Sequence, residues 1–150
     1  MSTDWIGIIL DSPTPHDAWA KIFSALHALS MSSSSPIALH DATVIPDRLL
    51  TEAAWELWEA FPTNAEKTSD CLKGWAVSGS GKAVLILDAL SLRELPILMR
   101  EAETRGIQPI QVKVTGSECP STTDHFAKSL GLPSRSALAN DGKPGTFALF

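Results

Sequence analysis

The stretch that decides the predicted fold begins KAVLILDALSLREL (residues 82–95) and ends TGSECPSTTDH (residues 115–125). Its first part, residues 83–87, is an apolar run that stops at an acid, Asp88, and two glycines precede it at positions 79 and 81. A short apolar run bounded by glycines is typical of a buried strand in a parallel sheet. We therefore expect a central strand at residues 83–87.

A helix and a second strand are expected to follow this run. Ser91 and Glu94 have the spacing of a capping box, which marks a helix start. Apolar residues then recur at helical spacing as far as Gly106, a suitable residue just past a helix end. Because proline lacks a backbone N–H, Pro96 leaves two possible starts, near Ser91 or at Pro96 itself. The alternating run IQVKVT (residues 110–115) predicts the second strand.

Strand, helix and strand together form one βαβ unit, whose crossover should be right-handed. The sequence therefore predicts an α/β fold, with a partly parallel sheet and flanking helices, over residues 82–150. Asp88 and residues 116–123 would leave the carboxyl ends of the two strands, where open α/β sheets bind ligands. A helix starting near Thr123 would add free backbone N–H groups suited to a phosphate.

Residues 1–81 are expected to be a mainly helical segment leading into this core, so that residues 1–150 are one α/β domain or a fragment of one. Apolar side chains recur at helical spacing in most of this part. The first predicted elements are a strand at Trp5–Leu10 and a helix with Thr14 as N-cap and Pro15 at its first position. A loop or linker is predicted at residues 32–35. Two further helices are predicted, one over residues 46–61 that Pro62 ends and one over residues 65–73.

Charge and composition limit the classes of function. The formal charge of −5 argues against a nucleic-acid surface built on net charge. Cys71 and Cys119 have no metal-ligand spacing and, without a signal peptide, are interpreted as reduced thiols of a cytoplasmic protein. Apolar runs are all shorter than the roughly 20 residues that span a bilayer, so no membrane partner is expected.

A phosphate-binding loop is suggested by SGSGK (residues 78–82), but the pattern fails. Ala76 stands where the motif needs a glycine, and Ala83 stands where it needs Ser or Thr. A small nucleotide-binding domain is therefore the weakest of three hypotheses.

Asp88 and Thr123 are candidate site residues. Each could be a simple helix cap, but both fall at the same predicted sheet edge, which favours a functional role for the pair.

At these residues the chain resembles the PglZ-type branch of the alkaline phosphatase superfamily, in its amino-terminal part. VLILDALSLREL (residues 84–95) is similar to the first metal-ligand motif of that branch, and CPSTTDH (residues 119–125) resembles the segment that carries the nucleophile. The resemblance implies an incomplete alkaline-phosphatase-like core. It also implies that Asp88 ligates a divalent metal, zinc or manganese, and that Thr123 is both nucleophile and metal ligand, with Thr122 as the second choice. A threonine hydroxyl needs such coordination to attack a phosphoester near neutral pH.

The chain departs from the family because only Asp124, His125 and Asp141 follow the nucleophile segment as possible ligands. The two-metal site would therefore be incomplete in 150 residues, either because the chain is a fragment or because it is a degenerate relative. The leading hypothesis is part of a metal-dependent phosphatase or phosphodiesterase, and the resemblance implies a role in bacterial phage defence. The alternative is a non-catalytic interaction module that uses the tryptophans of residues 46–61, with Trp58 as the residue to test. Trp55 and Trp58 are nevertheless expected to be core residues first and a binding platform second.

Overall fold

A computed structural model describes residues 3–33, 35–77, 82, 84–87, 90 and 92–138. Within these residues the regular structure is helical, apart from one isolated parallel bridge between Lys67 and Gly116. The helices are α1 Trp5–Leu10, α2 Pro15–Ser32, α3 Pro36–Ala53, α4 Trp55–Asn64, α5 Thr68–Val77, α6 Leu95–Thr104 and α7 Thr123–Ser129, followed by a 3-10 turn at Arg135–Leu138.

The predicted α/β fold is wrong. Residues 84–87 and 110–115, which the two strands were expected to include, form no regular secondary structure. The described residues therefore contain no sheet, no βαβ unit and no alkaline-phosphatase-like core. The physical reason is that strand propensity only describes how well a residue suits a pleated surface, and a strand is stable only when other strands or helices cover it.

The strand predicted at Trp5–Leu10 is also wrong, because these residues form helix α1. The side chain of Asp4 accepts a hydrogen bond from Gly7 N at 2.9 Å and so caps the helix. Trp5, Ile8 and Ile9 then pack against the main core at helical spacing. A run of six apolar residues has no periodicity that separates a strand from a short helix.

Helix α2 confirms its predicted start. Thr14 is the N-cap, its Oγ1 accepts a hydrogen bond from Asp17 N at 3.2 Å, and Pro15 occupies the first helical position. Ala18, Trp19 and Ile22 are buried on one face of this helix. The serine loop is shorter than predicted, since Ser32 ends α2 and Ser35 caps α3 by accepting from Ala38 N at 3.1 Å.

The helix predicted over residues 46–61 is in fact two helices that meet at Ala54, whose φ of −118° and ψ of 39° are not helical. Helix α3 includes Pro46, and α4 continues past Pro62 to Asn64, so neither proline ends a helix. The helix predicted over residues 65–73 forms later, as α5.

The chain divides into two compact units. The first combines Met1–Ala65 with Ala89–Val114, and the second combines Glu66–Asp88 with Thr115–Phe150.

The first unit has an aromatic core formed by α2 and α4. Trp19 stacks edge-on against Trp58 and Phe61, with ring centroids 4.9 and 4.7 Å apart. Such aromatic pairs add about 0.5–1.5 kcal/mol each beyond the area they bury. The Trp19 indole N–H also donates to the carbonyl of Leu57 at 3.1 Å, which ties α2 to α4.

Helix α6 belongs to the same unit and starts at Leu95, which places Pro96 in its first turn. Gly106 has a φ of 72°, the left-handed conformation expected of a residue just past a helix end. The fully buried Ser30 of α2 donates its hydroxyl to the Leu92 carbonyl at 2.8 Å. The turn before α6 is thereby held against α2.

No helix in the described part of the chain is long and apolar enough to cross a membrane.

Candidate functional site

The structure describes only part of the predicted site. Asp88, the predicted metal ligand, lies outside the described residues. Thr123, the predicted nucleophile, is the first residue of α7 and is half-buried, while Thr122 is the N-cap of that helix. The helix predicted to start near Thr123 is therefore confirmed, although the strand expected to precede it is absent.

The hydroxyl of Thr122 contacts the start of α7 twice. It accepts a hydrogen bond from His125 N at 3.3 Å, and it lies 2.8 Å from His125 Nδ1. Asp124 accepts a hydrogen bond from Arg135 N at 2.8 Å, so its carboxylate helps to hold the 3-10 turn. In the described structure, Thr122 and Asp124 thus make contacts that stabilise α7 and the turn after it.

Residues 115–123 are placed by the only β-type pairing that the described residues contain. Gly116 N donates to the Glu66 carbonyl at 2.8 Å, and Thr68 N donates to the Gly116 carbonyl at 3.0 Å. The hydroxyls of Thr68 and Thr115 are 2.8 Å apart. The predicted nucleophile segment is therefore attached to the start of α5 within the second unit.

Lys67 is a buried cation in this pairing, with only 7 % of its surface exposed. Desolvation lowers the pKa of its ammonium group, and the negative charges of Cys119, Glu118 and Asp70 partly oppose that effect. Sequence reasoning missed this residue, because a single lysine in the polar run NAEKTSD (residues 64–70) resembles an ordinary surface residue.

Two acidic side chains near this lysine in sequence or space have hydroxyl or thiol partners. Glu118 Oε2 accepts a hydrogen bond from Ser129 Oγ at 3.0 Å, while its buried Oε1 has no hydrogen-bond partner among the described residues. Glu66 accepts a hydrogen bond from Cys71 Sγ at 2.9 Å. Both cysteines are free thiols, and Cys119 is exposed.

These residues do not assemble a metal centre in the described part of the chain. No group of three or more His, Cys, Asp or Glu side chains there could hold a metal ion. Because Asp88 is not among the residues searched, the divalent metal, zinc or manganese, stays a prediction.

A shallow groove in the first unit offers a second candidate site. It has a volume of about 360 Å³ and is mostly apolar. Its lining residues are Leu26, Leu39, His40, Thr43, Leu92 and Arg93. It contains none of the residues that the sequence predicted for catalysis or metal binding.

The surface of α3 and α4 is the third candidate, because it exposes large apolar side chains. Ile37, Val44 and Ile45 follow the i, i+7, i+8 spacing of one helix face, and all three are exposed. Trp55, at the start of α4, is 68 % exposed, and its indole N–H donates to Glu59 Oε1 at 3.1 Å. Trp58 is instead half-buried and packs against the core, on the side that the helical pattern predicted.

A scan against protein-family models and searches of curated proteins and of solved structures give no match to this chain.

Proposed function

We propose that this chain is a non-catalytic, helical protein-interaction module whose contact surface is centred on Trp55. The observation that carries the proposal is the exposure of this indole together with its hydrogen bond to Glu59. Tryptophan is the residue type most enriched at the energetic centres of protein interfaces. A side chain already held in one orientation loses less entropy when a partner covers it.

The exposed face of α3 supports the same function. Ile37, Val44 and Ile45 are apolar, and the exposed ion pair Arg48–Glu52, 3.3 Å between Nε and Oε1, lies on the same helix. Apolar residues bordered by charged ones are the usual composition of a protein interface and its rim. The partner we infer is a protein with an apolar groove and a basic rim, since this chain carries a formal charge of −5.

Capture of partners from the source cells tests the proposal. The tagged chain should retain a protein that is lost with Trp55→Ala and with Ile45→Asp, and retained with Glu52→Gln. Truncating a central interface tryptophan costs about 2 kcal/mol or more, which is about a 30-fold loss of affinity. Circular dichroism and thermal melting should be unchanged, because both substituted side chains are exposed.

A pair of variants at Glu59 tests the role of the indole orientation. Glu59→Gln keeps an oxygen that can accept from the Trp55 N–H, whereas Glu59→Ala removes it. We expect weaker binding only with Glu59→Ala. Equal capture by the wild type, Trp55→Ala and Ile45→Asp would refute the proposed surface.

The resemblance in residues 84–95 and 119–125 supports a second proposal, metal-dependent phosphoester hydrolysis associated with phage defence. Thr123 would be the nucleophile, and Asp88 would bind zinc or manganese. Metal-dependent hydrolysis should then be abolished by Thr123→Ala and by Asp88→Asn, and kept by the exposed control Ser117→Ala. A hydrolysis rate that neither variant changes would eliminate this second function.

A further inference from the structure

The apolar groove of the first unit lies where three segments of the chain meet. Leu26 comes from α2, Leu39 from α3, and Leu92 from the turn before α6, and both α3 and α6 pack against α2. The hydrogen bond from the Ser30 hydroxyl to the Leu92 carbonyl, one turn along α2 from Leu26, holds that turn in place. The groove is therefore preformed, as ligand sites between packed helices usually are.

The residues that line the groove change from apolar to polar toward its mouth. Leu39 is only 3 % exposed and Leu26 and Leu92 are half-buried, whereas His40 and Arg93 are exposed. The Arg93 guanidinium is positively charged, and none of the described lining residues is acidic. Guanidinium groups bind carboxylates with good geometry and charge-assisted hydrogen bonds. A complementary ligand is therefore apolar along most of its length and has an anionic group at the end that reaches the mouth.

The volume of the groove limits the size of this ligand. A dry apolar cavity of about 150 Å³ holds one benzene molecule, which has six carbon atoms. The groove, at about 360 Å³, should hold a little more than twice as many, about 14 non-hydrogen atoms. Its described lining contains three leucines and no aromatic ring on which a planar ligand could stack, which favours an aliphatic chain. Decanoate, a ten-carbon monocarboxylate, is within this size.

We propose that the groove binds an aliphatic monocarboxylate of about ten carbons, with its chain against the three leucines and its carboxylate beside Arg93. His40, also at the mouth, can donate an imidazole N–H to the same carboxylate. The proposal is independent of the contact surface centred on Trp55, because none of the lining residues is among the exposed apolar residues of that surface.

Isothermal titration calorimetry of the whole chain with decanoate tests the ligand class. Affinity should rise from hexanoate to decanoate by up to about fourfold per methylene, and decyltrimethylammonium, with the same chain and the opposite charge, should bind at least about tenfold more weakly than decanoate. Arg93→Gln should weaken decanoate binding about tenfold, whereas Arg93→Lys should keep most of the affinity. The control Arg100→Gln, at an exposed arginine of α6 outside the lining, should bind like the wild type. Equal affinities for the two ten-carbon ligands, or for the wild type and Arg93→Gln with decanoate, would overturn the proposal.

A groove-filling variant and leucine methyl NMR test where decanoate binds. Thr43 is half-buried and its hydroxyl bonds to a carbonyl of its own helix, so Thr43→Phe should fold and abolish binding by filling the groove. In the wild type, decanoate should shift the methyl signals of Leu26, Leu39 and Leu92, and leave those of Leu10, which is 76 % exposed on α1, unchanged. A wild type that binds no decanoate, a Thr43→Phe variant that binds it like the wild type, or shifts as large at Leu10 as in the groove would refute the site.

Discussion

Lys67 is the described residue at which burial and charge conflict most directly. Its ammonium group is desolvated in the second unit, and desolvation disfavours the charged form of a lysine. The carboxylates of Glu118 and Asp70 reduce this penalty but do not remove it. The charged form of Lys67 is therefore less favourable in the native chain than in the unfolded chain, where the same group is hydrated. This difference reduces the free energy of unfolding at neutral pH.

This environment predicts how the free energy of unfolding depends on pH. Between the lowered pKa of native Lys67 and the ordinary lysine value of about 10.4, the unfolded chain binds more protons, so stability should rise with pH. The slope from this one group cannot exceed about 1.4 kcal/mol per pH unit. The chain has no tyrosine, so fewer other groups titrate in this range.

Urea denaturation between pH 8 and the alkaline limit, on the order of pH 10.5, measures this dependence. Lys67→Met should flatten the rise, because it removes the titrating group. Lys73→Met, at a more exposed lysine 4.0 Å from Asp70, should leave it as in the wild type. Identical slopes in all three proteins would show that Lys67 does not have the lowered pKa described above.

The two tryptophans of α4 show what residue-level patterns can predict. The helical pattern placed Trp58 in the core, and the structure confirms this, because its ring packs against Trp19 and Phe61. Trp55 was also expected to be a core residue first, yet it is exposed. The pattern assumed one continuous helix. The non-helical Ala54 instead separates α3 from α4, so the residues after it no longer follow the helical spacing counted from α3.

At the scale of elements, the correct predictions rest on local chemistry. The start of α2, the start of α7 and the end of α6 were predicted from Thr14, Thr122–Thr123 and Gly106, whose effects act within one helical turn. The two predicted strands were wrong because a strand depends on pairing with distant residues, which alternation alone cannot supply.

The N-cap of α2 gives a prediction at this scale. Thr14→Ala removes the oxygen that accepts from Asp17 N, so it should destabilise the first unit by about 1 kcal/mol. Thr14→Ser should keep most of the stability, because the hydroxyl remains. Thermal unfolding followed by circular dichroism compares the variants, and Thr63→Ala, whose hydroxyl bonds only within its own helix, is the control. An unchanged melting temperature for Thr14→Ala would contradict the capping role.

At the scale of the whole molecule, two compact helical units replace the predicted α/β core. The predicted site depended on that core, because a sheet edge was expected to bring Asp88 and residues 116–123 together. Without the sheet, residues 116–123 are held instead by the pairing of Gly116 with Lys67. The exposed apolar residues of α3 and α4 could not be predicted as a surface, since apolar residues in a helical pattern normally indicate a buried face.

Hydrogen–deuterium exchange on the chain, free and bound to the protein that it captures from its source cells, tests the interaction surface most directly. We predict slower exchange on binding in α3 and α4, between Pro36 and Asn64, and little change in α7. The protection should disappear with Trp55→Ala and persist with Glu52→Gln. Protection confined to residues 115–131, with α3 and α4 unchanged, would contradict the account and move the binding site to the second unit.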